Sequence, residues 1–250
     1  MVQAAGEIMP VDSLGHLMVI GNQTGLYIPN LIFGNVLRLG YLCAIFAYFW
    51  KEFWVLVKNP FQKESGILLI GLIPIAITAY VSYADLMQIF SRDLFLAAAF
   101  VFTALLLFLS DNITHADKTE KNIGSYDALI MGCMLAAALP MGISKVAAVI
   151  TAALVCGINR ELAAQFAYKL IFFTTAWSII INTFNFTQFP TDIYMEDIPA
   201  YMAGFATAAI SGYLSLHILM RLLINSKLRY FSYYLIALAI WVLVYGFLVT

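Results

Sequence analysis

Residues 125–158 read SYDALIMGCMLAAALPMGISKVAAVITAALVCGI, an apolar stretch that Pro, Gly, Ser and Lys interrupt near its middle. Backbone at membrane depth leaves the helix only where protein or a water-filled cavity covers it. The stretch therefore predicts two half-length helices joined by a polar turn, in a re-entrant hairpin around a site. Residues 1–24 contain a similar interruption at Pro10 and Asp12 and predict a second hairpin.

The composition excludes an ordinary soluble domain. Apolar residues make up 63% of the 250 residues and charged residues 11%, whereas a soluble domain has roughly 45–50% and about 25%. The 13 basic side chains are balanced by 14 acidic ones, which excludes nucleic-acid binding through net charge. The sequence therefore predicts an integral membrane protein whose partner is the lipid bilayer.

Six further stretches are long and apolar enough to cross a bilayer, which takes about 20 residues. The predicted fold is an all-α integral membrane protein with six transmembrane helices plus two re-entrant helical hairpins. The six spans are residues 31–50, 65–84, 94–110, 161–183, 199–224 and 229–249.

The order of these segments predicts an internal duplication within one membrane domain. Residues 1–124 read as a hairpin plus three spans, and residues 125–250 repeat that order. Because each half has an odd number of spans, the halves have opposite orientations, and the Lys and Arg residues of the short loops then share one face. In such inverted-topology repeats the broken elements meet near the bilayer midplane and form a site, here at residues 9–16 and 139–145.

The first hairpin concentrates polar side chains in a short, bent element. Gln3 and Glu7 share one helical face, and Glu7 with Asp12 could hold a divalent cation, although Asp12 could equally cap the following helix. Ser13 and His16 could provide a nucleophile and proton transfer, and the sequence leaves open which is the nucleophile.

The second hairpin contributes positive charge. Ser144 and Lys145 immediately precede a helix, so backbone N–H groups and an ammonium could face an anion. Together the two turns indicate phosphoryl transfer, although serines in such positions also commonly cap helices.

The segment GEIMPVDSLGHLMVIG resembles the first motif of the bacterial undecaprenyl-diphosphate phosphatase (bacitracin-resistance) family, written roughly as E/Q-xxx-E-F-L-P-x-S-S-x-G-H. Gln3 and Glu7 match its acidic pair, and Ser13 and His16 match its second Ser and its His. Asp12 stands where the motif has its first Ser.

The segment MGISKVAAV is similar to the family's second motif, PG-x-SRSG-x-T. Ser144 matches, and Lys145 replaces the Arg. Lysine keeps the positive charge but cannot make the bidentate hydrogen bonds of a guanidinium to a phosphate. Val146 and Val149 replace two hydroxyl residues. The following GINRELAAQFAYKL resembles the family's G-x-SR-x-AA-EF-S-F.

The resemblance implies hydrolysis of a C55 polyprenyl diphosphate to the monophosphate and inorganic phosphate, which recycles the lipid carrier for cell-wall synthesis. It implies a Mg²⁺- or Ca²⁺-dependent site in the bacterial cytoplasmic (inner) membrane that opens to the periplasm. The expected residues are Glu7, Ser13 and His16 for catalysis, Ser144, Lys145 and Arg38 for the phosphates, and Gln3, Glu7 and Asp12 for the metal.

Arg38 enters that set because it lies within the first full span, where the family typically has Gln. Burying an Arg at membrane depth costs about 2.5–3.5 kcal/mol on insertion scales, so a function is expected. We expect a second cation for the diphosphate, with structural neutralisation of Glu7 or Asp12 as the alternative.

Two other functions remain open on the sequence. A polyprenyl-phosphate translocase, or a non-catalytic relative that binds the lipid carrier, would suit inverted repeats and the lost hydroxyls. A small-ion or solute transporter would share only the fold. A homodimer is a further open expectation.

Overall fold

The computed structural model describes residues 2–24, 31–90, 92–114, 116–188 and 197–249, and their regular structure is helical, as predicted. A short 3-10 turn at Glu120–Asn122 precedes the second half of the chain. The helices are α1 (Val2–Ile8), α2 (Ser13–Thr24), α3 (Leu31–Tyr48), α4 (Trp50–Lys58), α5 (Lys63–Phe90), α6 (Asp93–Asn112), α7 (Ser125–Ala137), α8 (Lys145–Val155), α9 (Arg160–Gln188), α10 (Ile198–Ile224) and α11 (Arg229–Val249).

The protein has four to five candidate membrane-spanning helices in the described part of the chain. Four of them, within α6, α9, α10 and α11, are each long and apolar enough, and the bent pair of α3 and α4 passes the same test as one broken span. The predicted span at residues 65–84 lies on α5, and its side chains beyond residue 78 lie outside the described residues. The protein is therefore a multi-pass integral membrane protein.

A sharp bend lies at the end of the predicted span at residues 31–50. Helix α3 ends at Tyr48, α4 begins at Trp50, and the two helix axes meet at 83°. The reason lies in packing: Phe53 turns inward and packs against Phe172 of α9 with 4.7 Å between ring centroids, while Trp50 stays exposed. An amphipathic α4 buries one aromatic face only if the chain changes direction.

Each interrupted apolar stretch forms two short helices joined by a turn. Residues 9–12 connect α1 to α2, and residues 138–144 connect α7 to α8. Pro10 and Pro140 lie in these turns, where a missing N–H ends the preceding helix. Each stretch therefore forms two short helices joined by a turn, as the sequence predicts.

The packing of the two hairpins is reciprocal. Helix α7 packs against α5, and α1 packs against α10, so each hairpin's first helix contacts the second long helix of the other half. This pattern is compatible with inverted duplication and re-entrant hairpins, which both stay predictions.

Helices α5 and α7 are in close backbone contact at a pair of glycines, Gly71 and Gly132. A Cβ added to Gly132 would overlap the carbonyl oxygen of Gly71 and lie 3.1 Å from its Cα. Small residues permit such backbone contact in membranes. We expect Gly132→Ala to lower the free energy of unfolding by about 1–3 kcal/mol, measured by thermal unfolding in detergent.

The control for this prediction is Gly66→Ala on α5, because a Cβ at Gly66 would meet no atom within 4 Å. No loss of stability is expected there. Equal losses in both variants would mean that the contact between Gly71 and Gly132 is not the cause.

Candidate functional site

The two hairpin turns are joined by one carboxylate. Asp12 Oδ2 accepts the N–H of Gly15 at 2.8 Å, within its own hairpin, and the N–H of Gly142 at 2.7 Å, in the turn of the other hairpin. Gly142 has a φ of 87°, in the left-handed region that favours glycine, and a Cβ there would lie 2.8 Å from Ala99 Cβ. The capping alternative for Asp12 is therefore observed, and the same oxygen also holds the hairpins together.

An acid, a hydroxyl and an amine meet beside this junction. Ser13 Oγ donates to Glu7 Oε1 at 2.7 Å, and Lys145 Nζ donates to Glu7 Oε2 at 3.1 Å. Glu7 and Ser13 are buried, and the Lys145 side chain is 23% exposed. The structure thus brings together Glu7 and Lys145, 138 residues apart in the chain, as the hairpin prediction requires.

Lys145 is held in place because α8 is fixed at its start and buried along its length. Ser144 Oγ accepts the N–H of Ala147 at 3.3 Å, which makes Ser144 the N-cap. Thr103 on α6 braces the turn, since its hydroxyl accepts the N–H of Ser144 at 3.1 Å and donates to the Gly142 carbonyl at 2.9 Å. The phosphate-binding role of Ser144 stays a prediction.

His16 contacts the backbone of Asp12. Its Nδ1 is 2.6 Å from the Asp12 carbonyl oxygen, and its Nε2 is 2.9 Å from the Tyr234 hydroxyl on α11. The ring also meets Phe100 edge-on with 5.5 Å between centroids. Both ring nitrogens are therefore engaged.

The two remaining predicted residues are near the cluster. Arg38 Nη1 donates to Ser178 Oγ at 3.4 Å, and the guanidinium interacts electrostatically with Glu7 and Lys145. Gln3 is buried one helical turn before Glu7. The Arg38 guanidinium can thus make the electrostatic potential of the site more positive. Direct contact of Arg38 with a substrate stays a prediction.

Three side chains around the cluster were not predicted from the sequence: Thr103, Tyr234 and Tyr41. Tyr41 is buried on α3, donates to Thr175 Oγ1 at 3.4 Å and interacts electrostatically with Glu7 and Lys145. All three lie in apolar spans. The available signal was only that a polar side chain within a span tends to face the protein interior.

The acidic residues do not form a preassembled divalent-cation centre. No group of three Asp, Glu, His or Cys side chains suited to a metal exists among the described residues, although Mg²⁺ can also bind through one or two carboxylates together with waters and substrate phosphates. Both Glu7 oxygens are hydrogen-bonded, one of them to the Lys145 ammonium, and Asp12 Oδ2 is used by two backbone amides. The protein's own cation is therefore already in contact with Glu7.

Comparison with known proteins gives one consistent result. The family model of the bacitracin resistance protein BacA matches residues 1–241. Proteins named undecaprenyl-diphosphatase are 31% identical in Elusimicrobium minutum over 252 residues and 27% identical in Carboxydothermus hydrogenoformans over 245 residues. A Bacillus cereus protein of that name is 30% identical over 247 residues, and each alignment covers 98% of this chain and 94% of the relative. The chain therefore belongs to the bacitracin resistance protein BacA family.

Proposed function

We propose that this protein is an undecaprenyl-diphosphatase, which hydrolyses undecaprenyl diphosphate to undecaprenyl phosphate and inorganic phosphate and so recycles the lipid carrier for cell-wall synthesis. Family membership and the names of relatives that align over nearly the whole chain support this activity. The structural observation that carries it is the contact of Glu7 with both Ser13 and Lys145.

Lys145 is suited to neutralise a diphosphate. Its ammonium lies at the first residue of α8, and the N-terminal end of a helix also attracts anions through its dipole. Arg38 adds a second positive charge that acts on the same cluster. Such preorganised cations stabilise the charge that spreads over the phosphoryl oxygens in the transition state.

The hydrogen bonds favour Ser13 over His16 as the nucleophile. Ser13 Oγ already donates to a carboxylate at 2.7 Å, whereas both nitrogens of His16 are occupied. As Ser13 Oγ bonds to the terminal phosphorus, its proton passes to Glu7, and the bond from that phosphorus to the bridging oxygen breaks to release undecaprenyl phosphate.

The phosphoserine is then hydrolysed. Water attacks the phosphorus, the bond to Ser13 Oγ breaks, and Glu7 returns its proton to that oxygen. One proton of the attacking water stays on the released phosphate and the other passes to solvent, and the predicted proton transfer by His16 stays a prediction. Protons and charges balance over the two steps.

The activity is tested by phosphate release from undecaprenyl diphosphate by the purified protein in detergent. Release at a rate proportional to protein concentration is expected. Lipid binding without release would contradict the phosphatase proposal and favour a translocase or a non-catalytic carrier-binding protein.

A site that opens to the periplasm of the inner membrane is also part of the proposal. Arg160 and Arg229 both approach Asp111, so they share one end of the molecule. Lys145 begins α8, which is about 16 Å long, and Arg160 follows the other end of that helix. The positive-inside rule assigns the arginine end to the cytoplasm and so supports a site away from it. A homodimer stays an untested prediction.

The divalent cation predicted from Gln3, Glu7 and Asp12 also stays a prediction, and the geometry gives it a specific test. A cation at Glu7 would have to share the carboxylate with the Lys145 ammonium, whose positive charge repels it. We therefore expect Lys145→Met to bind Ca²⁺ more tightly than the unmodified protein, by at least about tenfold, measured as a calcium-dependent rise in the unfolding temperature.

The double variant Glu7→Gln/Lys145→Met is the matched control and should lose this gain. Equal calcium affinity in all three proteins would mean that the cation binds away from Glu7.

A further inference from the structure

Helix α4 lies across the end of α3. The two axes meet at 83°, and α3 packs along α10, which is itself a candidate span. Spans tilt from the bilayer normal by about 20° on average, so a helix at nearly a right angle to a span runs close to the plane of the bilayer. The nine residues of α4 therefore extend sideways from the bend at Phe49.

Two contacts place α4 at the end of the molecule that contains Arg160. Glu52 Oε1 accepts a hydrogen bond from Gln165 Nε2 at 3.5 Å, and Gln165 lies little more than one turn after Arg160 on α9. Tyr48, beside the bend, packs on His217 near the end of α10, which Arg160 also contacts. The positive-inside rule assigns this end to the cytoplasm, so α4 lies near the cytoplasmic surface of the bilayer.

Helix α4 has three faces of different character, two of them apolar. Phe53 and Leu56, three residues apart, pack against the protein core. Trp50, Trp54 and Val57 share another face by their spacing, and their exposed fractions are 47%, 45% and 68%. The protein thus covers one apolar face of α4 and leaves the second exposed.

The third face of α4 is cationic. Lys51 and Lys58 are both exposed, and they share a face because seven residues make about two turns. Lys58 Nζ lies 5.5 Å from the centroid of the Trp54 ring, which stacks on Trp50 with 5.3 Å between centroids. The acidic residue of α4, Glu52, is hydrogen-bonded to α9. An exposed apolar face beside a row of ammonium groups is typical of a helix in the membrane interface.

We propose that α4 is an interfacial helix that docks on anionic phospholipid of the cytoplasmic leaflet. Its exposed apolar face enters the boundary between headgroups and acyl chains, and Lys51 and Lys58 bind lipid phosphates. Tryptophan favours this depth, and lysines are attracted to a negatively charged leaflet. Phe61, three residues after α4, is also fully exposed, as expected at this boundary. The span then consists of α3 alone, and the docking does not depend on the proposed phosphatase function.

The depth of α4 is tested by tryptophan quenching in lipid nanodiscs. The chain has four tryptophans, and replacing the other three with phenylalanine leaves Trp54 alone. Phospholipids with bromine at a defined position of the acyl chain quench a tryptophan at the same depth. We expect Trp54 to be quenched most by bromines close to the headgroup. A protein that retains only Trp50 should give the same result, and it decides the depth if the Trp54 protein does not fold.

A protein that retains only Trp241 is the matched control. Trp241 is exposed on α11 and lies twelve residues after Arg229, about 18 Å along the helix, so bromines deep in the acyl chains should quench it most. Strongest quenching of Trp54 by deep bromines would show that α4 continues the span. Absence of quenching would show that water or another protein covers α4. Either result would overturn the proposal.

The preference for an anionic headgroup is tested with the same Trp54 protein. When equal amounts of brominated phosphatidylglycerol or brominated phosphatidylcholine are added to phosphatidylcholine nanodiscs, quenching should show that the phosphatidylglycerol is enriched around Trp54 by about two- to fivefold. Lys51→Gln/Lys58→Gln should remove this enrichment without changing the depth. Lys227→Gln, which removes an exposed charge from the turn between α10 and α11, should retain it. Equal quenching by both lipids, or the same loss in Lys227→Gln, would overturn the binding of anionic lipid by α4.

Discussion

Replacing Glu7 with glutamine is expected to reduce kcat for phosphate release by about 10³-fold or more. The amide has nearly the same size as the carboxylate, but it cannot take the proton of Ser13 and no longer neutralises Lys145. Single-turnover release of phosphate from undecaprenyl diphosphate, with lipid binding measured separately, distinguishes lost chemistry from lost affinity.

The chain contains a matched control for this substitution. Glu64 on α5 is also buried and paired with a buried lysine, Lys169 on α9. Losing one partner of a buried pair typically costs about 3–5 kcal/mol, so Glu64→Gln should destabilise the fold at least as much as Glu7→Gln. The folded Glu64→Gln protein should remain active, and an equal loss of activity there would contradict a specific role of Glu7.

Replacing Lys145 with methionine is expected to lower kcat/KM by about 10²- to 10³-fold. Methionine keeps much of the apolar stem but removes the only ammonium in contact with Glu7 among the described residues. The lost charge should weaken ground-state binding of the diphosphate and stabilisation of the transition state together. Phosphate release measured over a range of lipid concentrations should therefore show a raised KM and a lowered kcat.

Charge can be separated from side-chain size with two further variants. Lys145→Arg keeps the charge, and activity within about tenfold of the unmodified protein is expected. The double variant Glu64→Gln/Lys169→Met removes the other buried pair and should leave the folded protein active. Full activity in Lys145→Met would exclude Lys145 from the phosphate site.

The general design of the fold could be predicted from the sequence because its strongest signals are local. Long apolar runs predict membrane helices, and Pro10 and Pro140 mark the turns of the two hairpins. The contact between Glu7 and Lys145 agrees with the predicted meeting of the two interrupted elements, while the inverted duplication behind that expectation stays a prediction.

The parts that could not be predicted depend on contacts between distant residues. No proline or glycine marks the bend at Phe49, which follows from the packing of Phe53 on α9. In the sequence, nothing distinguishes Thr103 and Tyr234 from the other polar residues of apolar spans. Only the fold shows that they contact Gly142 and His16. The sequence left two roles possible for Asp12, metal ligand and helix cap. It does not show that the Asp12 carboxylate accepts a hydrogen bond from the backbone of the other hairpin.

The hydrogen bond from Gly142 to the Asp12 carboxylate has a consequence for how the lipid binds. Since the Asp12 carboxylate joins both turns in the free protein, most of the conformational entropy of arranging the polar groups is lost when the chain folds, and little is left to lose when the lipid arrives. Association should therefore be fast and largely rigid at the headgroup. For the same reason, neither half of the chain can change the backbone of its turn without loosening the turn of the other half.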